Sequence, residues 1–212
     1  PDYVPVPFRE VLANLTVSLV TQGSPWHLTT TYLGENRVTL IYPPPTFTPN
    51  RSTLIFHHGA SQTRPFAHLH TVFGKQVHSE YNVFVIHAKG HARKSAYLHT
   101  SVDSFLHNQQ TFAGSVRAIE EITKFHYSRA TSPVVVAGVS MGGIVTAWHA
   151  LTYGSADLYF PMVAYPNVGE IFFGNAYRGV ISHRQTRLNQ PAYFSSFRVD
   201  QVNPALHLKV FP

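Results

Sequence analysis

Three short runs of apolar side chains constrain this chain more than any other feature. Residues 53–56, 83–86 and 134–137 are continuous rather than alternating. A strand with one wet face alternates apolar and polar residues. Short continuous runs instead suit strands covered on both faces, as in the middle of a parallel sheet. The segments between the runs change period. Phe66, Leu69, Phe73 and Val77 are spaced 3, 4 and 4 apart. Phe105, Phe112, Val116, Ile119 and Ile122 continue at helical spacing. Helices are therefore predicted over 66–77 and 104–124. Residues 141–151 predict a third helix, with Gly154 as its stop. Strands alternating with helices form βαβ units, so the expected fold is an α/β layer structure with helices on both faces of a mostly parallel sheet.

The flanks add detail. Residues 28–33 and 37–42 are rich in Thr, Val, Ile and Tyr around Gly34-Glu35-Asn36. They predict an N-terminal antiparallel hairpin closed by a three-residue turn. Residues 15–20 alternate, with Leu15, Val17 and Leu19 on one face, and predict a further edge strand. The proline-rich stretch 43–49 reads as a stiff link inside one domain. Residues 159–165 read as the strand that follows the third helix.

Composition removes several function classes. The chain has 212 residues, 44% of them hydrophobic and only 12% charged, so a single domain held by burial is expected. There is no cysteine, which excludes thiol catalysis, disulfides and thiolate metal sites. Fourteen histidines include the neighbours His57 and His58, His68 and His70, His87 and His91, but no H-E-x-x-H pattern. With ten acids to complete a shell, the expectation is no metal and no cofactor. Net charge is +6 and the isoelectric point about 9.7. The basic residues are scattered, densest at 89–94 and 178–187, and no recognisable module accompanies them, so no nucleic-acid partner is expected. No apolar run approaches a membrane span. Asp2, Arg9 and Glu10 interrupt any leader in the first twenty residues, leaving a cytoplasmic location by default. Oligomeric state is left open.

The chemistry-bearing motif follows the third run. Gly138-Val139-Ser140-Met141-Gly142-Gly143 matches G-x-S-x-G, the nucleophile elbow. Three fixed positions recur by chance in roughly one 200-residue chain in fifteen. The context gives the match its weight, because a buried strand must enter the motif and a helix must leave it. A sharp turn there lifts the serine hydroxyl clear of the sheet, and the helix aims its N-terminal N–H groups at the reacting centre. A passive serine in a tight glycine turn is the bland alternative.

The run 53–56 ends in His57-His58-Gly59-Ala60. With this His-Gly motif about 80 residues before the elbow, residues 30–165 resemble the α/β-hydrolase superfamily. Residues 83–86, followed by Gly90-His91 in the next loop, are similar to its next strand and loop. The resemblance implies a three-layer α/β sandwich with Ser140 as nucleophile. It implies that the backbone N–H groups of Ala60 and Met141 form the oxyanion hole, supported by His58, Gly59, Gly138 and Gly142. The superfamily's triad order is serine, acid, histidine. Asp200 and His207 follow Ser140 in that order, only seven residues apart. Asp157, Glu170 and His183 are weaker substitutes, and His149 reads as a core or surface histidine. The resemblance further implies one domain over 1–212, with a core at about 26–166. A short aromatic cap is expected at about 167–202, carrying Phe172, Phe173, Tyr177, Tyr193 and Phe194. Residues 203–212 would begin the connection to an acid-bearing strand, so the C-terminal part of the fold is expected to be incomplete. Ending the sheet at 159–165 would also leave that strand as an uncovered edge.

The expected activity is hydrolysis of an ester, thioester or amide through an acyl-enzyme. The expected substrate is a small molecule with an apolar acyl or aryl portion. A non-catalytic binding or scaffold module is the competing reading. Lyase or haloperoxidase-like chemistry on the same fold is a third.

Overall fold

The computed structural model describes residues 6–60, 62–88 and 105–164. In chain order its elements are α1 (Phe8–Asn14), β1 (Thr16–Val20), β2 (Trp26–Tyr32), β3 (Glu35–Tyr42), β4 (Thr53–His57), α2 (Ala67–Phe73) and α3 (Val77–Glu80). Then come β5 (Asn82–His87), α4 (Phe105–Tyr127), β6 (Val134–Val139), α5 (Met141–Thr152) and β7 (Leu158–Met162). The strands form one sheet in the order β1-β2-β3-β5-β4-β6-β7. β4 pairs in parallel with both β5 and β6, and β6 with β7. The pairs β1–β2, β2–β3 and β3–β5 are antiparallel. The sheet is thus mostly parallel: β2, β4, β5, β6 and β7 point one way, β1 and β3 the other.

All three apolar runs are central strands, and the structure gives the physical reason for their continuity. Every residue of β4 and β5 is buried. Ile55, Phe84, Ile86, Val134 and Val136 point into one core, shared with α1, α4 and α5. Leu54, Phe56, Val83, Val85 and Ala137 point into a second core, under Leu69 of α2 and Val77 of α3. Each large apolar side chain so buried contributes about 1.5–3 kcal/mol of transfer free energy. In the first core the buried Trp148 of α5 packs on Phe8 at 4.6 Å and on Phe112 at 5.0 Å. That contact ties three helices together over the sheet.

The N-terminal hairpin is one half of a three-stranded meander, β1–β3. Its turn has two residues, not three. Tyr32 pairs with Glu35, and Leu33 and Gly34 sit between them at φ 50° and 81°. Two-residue turns with positive φ at both positions match the twist of the strands. Leucine in the first position masked this turn in the sequence. The helix predicted over 66–77 is two short helices, because Gly74 takes φ 74° and breaks the run. α4 extends three residues past its predicted end. There His126 donates from Nε2 to Ser132 O (2.5 Å) and accepts at Nδ1 from the Thr53 hydroxyl (2.8 Å). The proline-rich link is held by Asn82, which accepts from Thr48 N–H at 2.9 Å and donates to the carbonyls of Thr48 and Arg51, both at 2.8 Å.

Among the described residues no helix is long and apolar enough to cross a membrane. The expected cap at 167–202, the segment 203–212, Gly90-His91 and the basic stretches at 89–94 and 178–187 lie outside the described residues.

Candidate active site

β6 runs straight into α5, and the junction is Ser140. Its backbone has φ 55° and ψ −114°, a region sparsely populated by residues with a side chain. Ser140 N–H donates to Met162 O at the end of β7 (2.9 Å), and Ile144 N–H donates to Ser140 O (3.0 Å). These bonds hold the turn in place. Ser140 is exposed and Val139 half-buried, while Val136 to Gly138 before them and Met141 to Thr146 after them are buried.

The surrounding glycines meet a steric demand. A β-carbon on Gly138 would collide with the Gly142 carbonyl and lie 2.8 Å from Thr146 Oγ1. One on Gly142 would collide with His57 O and lie 2.8 Å from His58 O. One on Gly143 would lie 2.5 Å from Met162 O. Most of these are backbone atoms, which cannot step aside. Strand β6, helix α5, strand β7 and the loop after β4 therefore converge only because three glycines let them. Gly143 was not singled out in the sequence; its contact partner in β7 is visible only in three dimensions.

The loop after β4 is organised by histidines. His57 is fully buried. Its Nδ1–H donates to His58 O (2.8 Å), and Nε2 accepts from the Ser115 hydroxyl of α4 (2.9 Å). Burial pushes its pKa down to about 4, so the ring is neutral near pH 7. His58 is also buried. Its Nε2 accepts from Ala88 N–H just past β5 (3.1 Å), which places the ring proton on Nδ1, and that proton is donated to Gly59 O (2.5 Å). Gly59 C=O and Ala60 N–H belong to one planar trans peptide, so His58 sets the direction of the Ala60 N–H. Gly59 N–H donates to His68 Nδ1 of α2 (3.0 Å). His87 donates from Nε2 to Gln62 O (3.0 Å) and meets the His58 ring edge-on at 4.7 Å. Burial pushes its pKa down.

Neither Ala60 N–H nor Met141 N–H has a partner among the described residues. The loop and the elbow touch. A Gly59 β-carbon would lie 3.2 Å from Val139 O, and Gly142 abuts His57 and His58. Thus the structure brings Ser140, Met141, Gly138, Gly142, His58, Gly59 and Ala60 together at the carboxyl ends of β4 and β6. In an open α/β sheet this is the end at which ligands bind. His68 and His87 were noted only among the histidine pairs, and Ser115 not at all. They carry no motif, and only their packing against the loop reveals them.

The substitute acids and histidines fall elsewhere. Asp157 accepts from Val134 N–H (2.7 Å) and from the Tyr127 hydroxyl (2.6 Å), at the end of β6 remote from Ser140. It pins a strand start and does not reach the serine. His149 is buried and donates from Nε2 to Glu120 (3.2 Å), while Tyr159 OH donates to its Nδ1 (3.1 Å). Nine residues along α5 place it about 13 Å from Ser140 along the axis. It is a core histidine. Asp200, His207, Glu170 and His183 lie outside the described residues. Among the described residues no three His, Asp or Glu side chains converge as a metal site would require.

No protein-family model and no curated protein matches the sequence. Solved structures do match. Acetyl xylan esterase 1 from Thermoanaerobacterium sp. JW/SL YS485 aligns with 95% of this chain and 76% of its own, at 13% identity and a TM-score of 0.55. A bacterial brefeldin A esterase, described as a homologue of human hormone-sensitive lipase, aligns with 97% of this chain at 14% identity and a TM-score of 0.47. This chain spans 63% of that protein's length. A fluorophosphonate-binding serine hydrolase of Staphylococcus aureus aligns with 92% of this chain and 74% of its own, at 13% identity and a TM-score of 0.44. At such identities the likeness is one of fold, and the first comparison carries it: the chain has the α/β-hydrolase fold.

Proposed function

We propose that this chain carries the nucleophile and oxyanion hole of a serine hydrolase that cleaves an ester, thioester or amide through an acyl-enzyme on Ser140. One observation carries the reading above the others. An exposed serine is held at φ 55° between a buried strand and a helix start, against a loop whose next peptide N–H has no partner among the described residues. Strain of about 1–3 kcal/mol at an exposed polar residue is a cost that a purely structural turn avoids by using glycine.

In this reading Ser140 Oγ attacks the substrate carbonyl carbon. The carbonyl π electrons move to oxygen, and Ala60 N–H and Met141 N–H stabilise the charge that develops there. A histidine takes the serine proton and returns it to the leaving group, oriented by a carboxylate. Asp200 and His207 are assigned these roles by their order after Ser140. Residues 1–212 are read as one domain, with 167–202 as a cap whose Phe and Tyr side chains favour an apolar acyl or aryl group.

The test is covalent labelling with a fluorophosphonate. The protein should take one equivalent, mapped to Ser140 by peptide mass, and Ser140→Ala should take none. A folded protein that stays unlabelled sinks the proposal and leaves the binding-module reading. His207→Ala, compared with the parent, tests the base.

A further inference from the structure

Resting on the reading of Ser140 as nucleophile, we infer that His68 of α2 is a positioning residue that holds Gly59, the residue leading into the oxyanion peptide. The peptide in question joins Gly59 to Ala60. A glycine cannot fix its own direction, because it lacks the β-carbon that restricts φ and ψ in other residues. Its orientation must come from outside. His58 supplies one anchor through Gly59 O. His68 supplies the other one peptide earlier, by accepting at 3.0 Å the N–H of Gly59, which belongs to the His58–Gly59 peptide.

The His68 ring does more than accept a hydrogen bond. A β-carbon on Gly59 would lie 3.1 Å from His68 Cε1 and 3.3 Å from His68 Nδ1, with Val139 O at 3.2 Å. Gly59 Cα is therefore crowded by the imidazole and by the end of β6 on the face where a β-carbon would sit. Its room to swing is small only while the ring is present. Because Nδ1 is the acceptor, the neutral ring carries its proton on Nε2. The anchor is itself anchored: the next residue, Leu69, is fully buried in the second core, against the sheet face of Leu54, Phe56, Val83 and Val85. A chain of contacts thus runs from that core through α2 and His68 to the Ala60 N–H. Removing the acceptor leaves the Gly59 N–H unmet, the His58–Gly59 peptide can turn toward water, and Gly59, with no β-carbon to resist, passes that turn on to the Gly59–Ala60 peptide. Displacing an oxyanion donor by about an ångström costs on the order of a hundredfold in rate.

Two variants separate the hydrogen bond from the bulk of the ring. His68→Leu fills comparable space and offers no acceptor. His68→Asn places Oδ1 close to the position of Nδ1. Three quantities are read: the rate of fluorophosphonate labelling, kcat and KM for p-nitrophenyl acetate, and hydrogen exchange of the Gly59 amide. His68→Leu should slow labelling and lower kcat by about tenfold to a hundredfold, with KM within about twofold, and should speed Gly59 exchange at least about tenfold. His68→Asn should recover most of each. Equal impairment of both variants, or parent-like labelling in His68→Leu, overturns the inference. So does unchanged Gly59 protection in His68→Leu. A parent that takes no label overturns it together with the nucleophile reading. In that case the exchange data tell whether the His68–Gly59 contact itself exists.

Discussion

Replacing Glu120 with glutamine tests how much one carboxylate between α4 and α5 stabilises the fold. The side chain is 9% exposed. It accepts from His149 Nε2 at 3.2 Å and from the Ser155 hydroxyl at 2.6 Å, with Lys124 Nζ 3.5 Å away. Burial opposes its charge. The two hydrogen bonds, with the attraction of His149 and Lys124, outweigh burial and hold the carboxyl at about 2, against an ordinary 4.5. The folded state therefore favours the ionised form. The stabilisation is complete above about pH 4.5 and disappears as pH falls through 2. At 1.36 kcal/mol per pK unit the ceiling is about 3 kcal/mol. Glu120→Gln keeps the shape and an acceptor for His149 but loses the charge. Urea unfolding at pH 7 should show the variant less stable by about 2–3 kcal/mol, and the gap should narrow steadily between pH 4.5 and pH 2.5. A gap under about 0.5 kcal/mol at pH 7, or one that does not change with pH, refutes this account of the site.

Four other substitutions, one of them a control, have definite expected outcomes. Gly142→Ala should prevent folding or cost more than about 3 kcal/mol in a thermal melt, because its β-carbon meets the backbone of His57 and His58. Gly154→Ala is the control: it meets only Ala150 O at 3.4 Å, so its cost should be limited to about 1 kcal/mol for its positive φ. Ala60→Pro removes the proposed oxyanion N–H, and turnover should fall by about a hundredfold while circular dichroism stays native; unchanged turnover takes Ala60 out of that role. Leu33→Asn should raise stability by about 0.5–1 kcal/mol, since asparagine tolerates the φ of 50° that leucine resists, and a loss measured in urea would contradict the two-residue turn.

What could be read from the residues and what could not divide along physical lines. Residues buried on both faces leave a one-dimensional signature, so the strands at 53–57, 82–87 and 134–139 were visible as apolar runs. The elbow was visible because the close approach of strand and helix demands glycine at fixed offsets from Ser140. The turn at Leu33 was missed because its residue type runs against its backbone geometry. The break at Gly74 was missed because Phe66, Leu69, Phe73 and Val77 keep helical spacing across it. The partners of His58 and Gly59 were not legible at all. His68, which accepts from Gly59, comes from a helix nine residues later, and Ala88, which donates to the His58 ring, from the end of the neighbouring strand, so only the fold brings them to this loop. Asp157 looked like a spare acid because a sequence does not say at which end of a strand a neighbouring residue will stand.

The strand order carries a consequence for how the chain is made. β4 lies between β5 and β6, yet it is synthesised before either. Its first edge is covered once β5 emerges, but the other stays open until the ribosome has added about 80 more residues, through Val139. At 5–20 residues per second that wait lasts roughly 4–16 s. Throughout it Leu54, Ile55 and Phe56 lie in an apolar strand whose second edge has no partner strand. Ser140, the residue after β6, is put in place only when β6 itself closes that edge of β4.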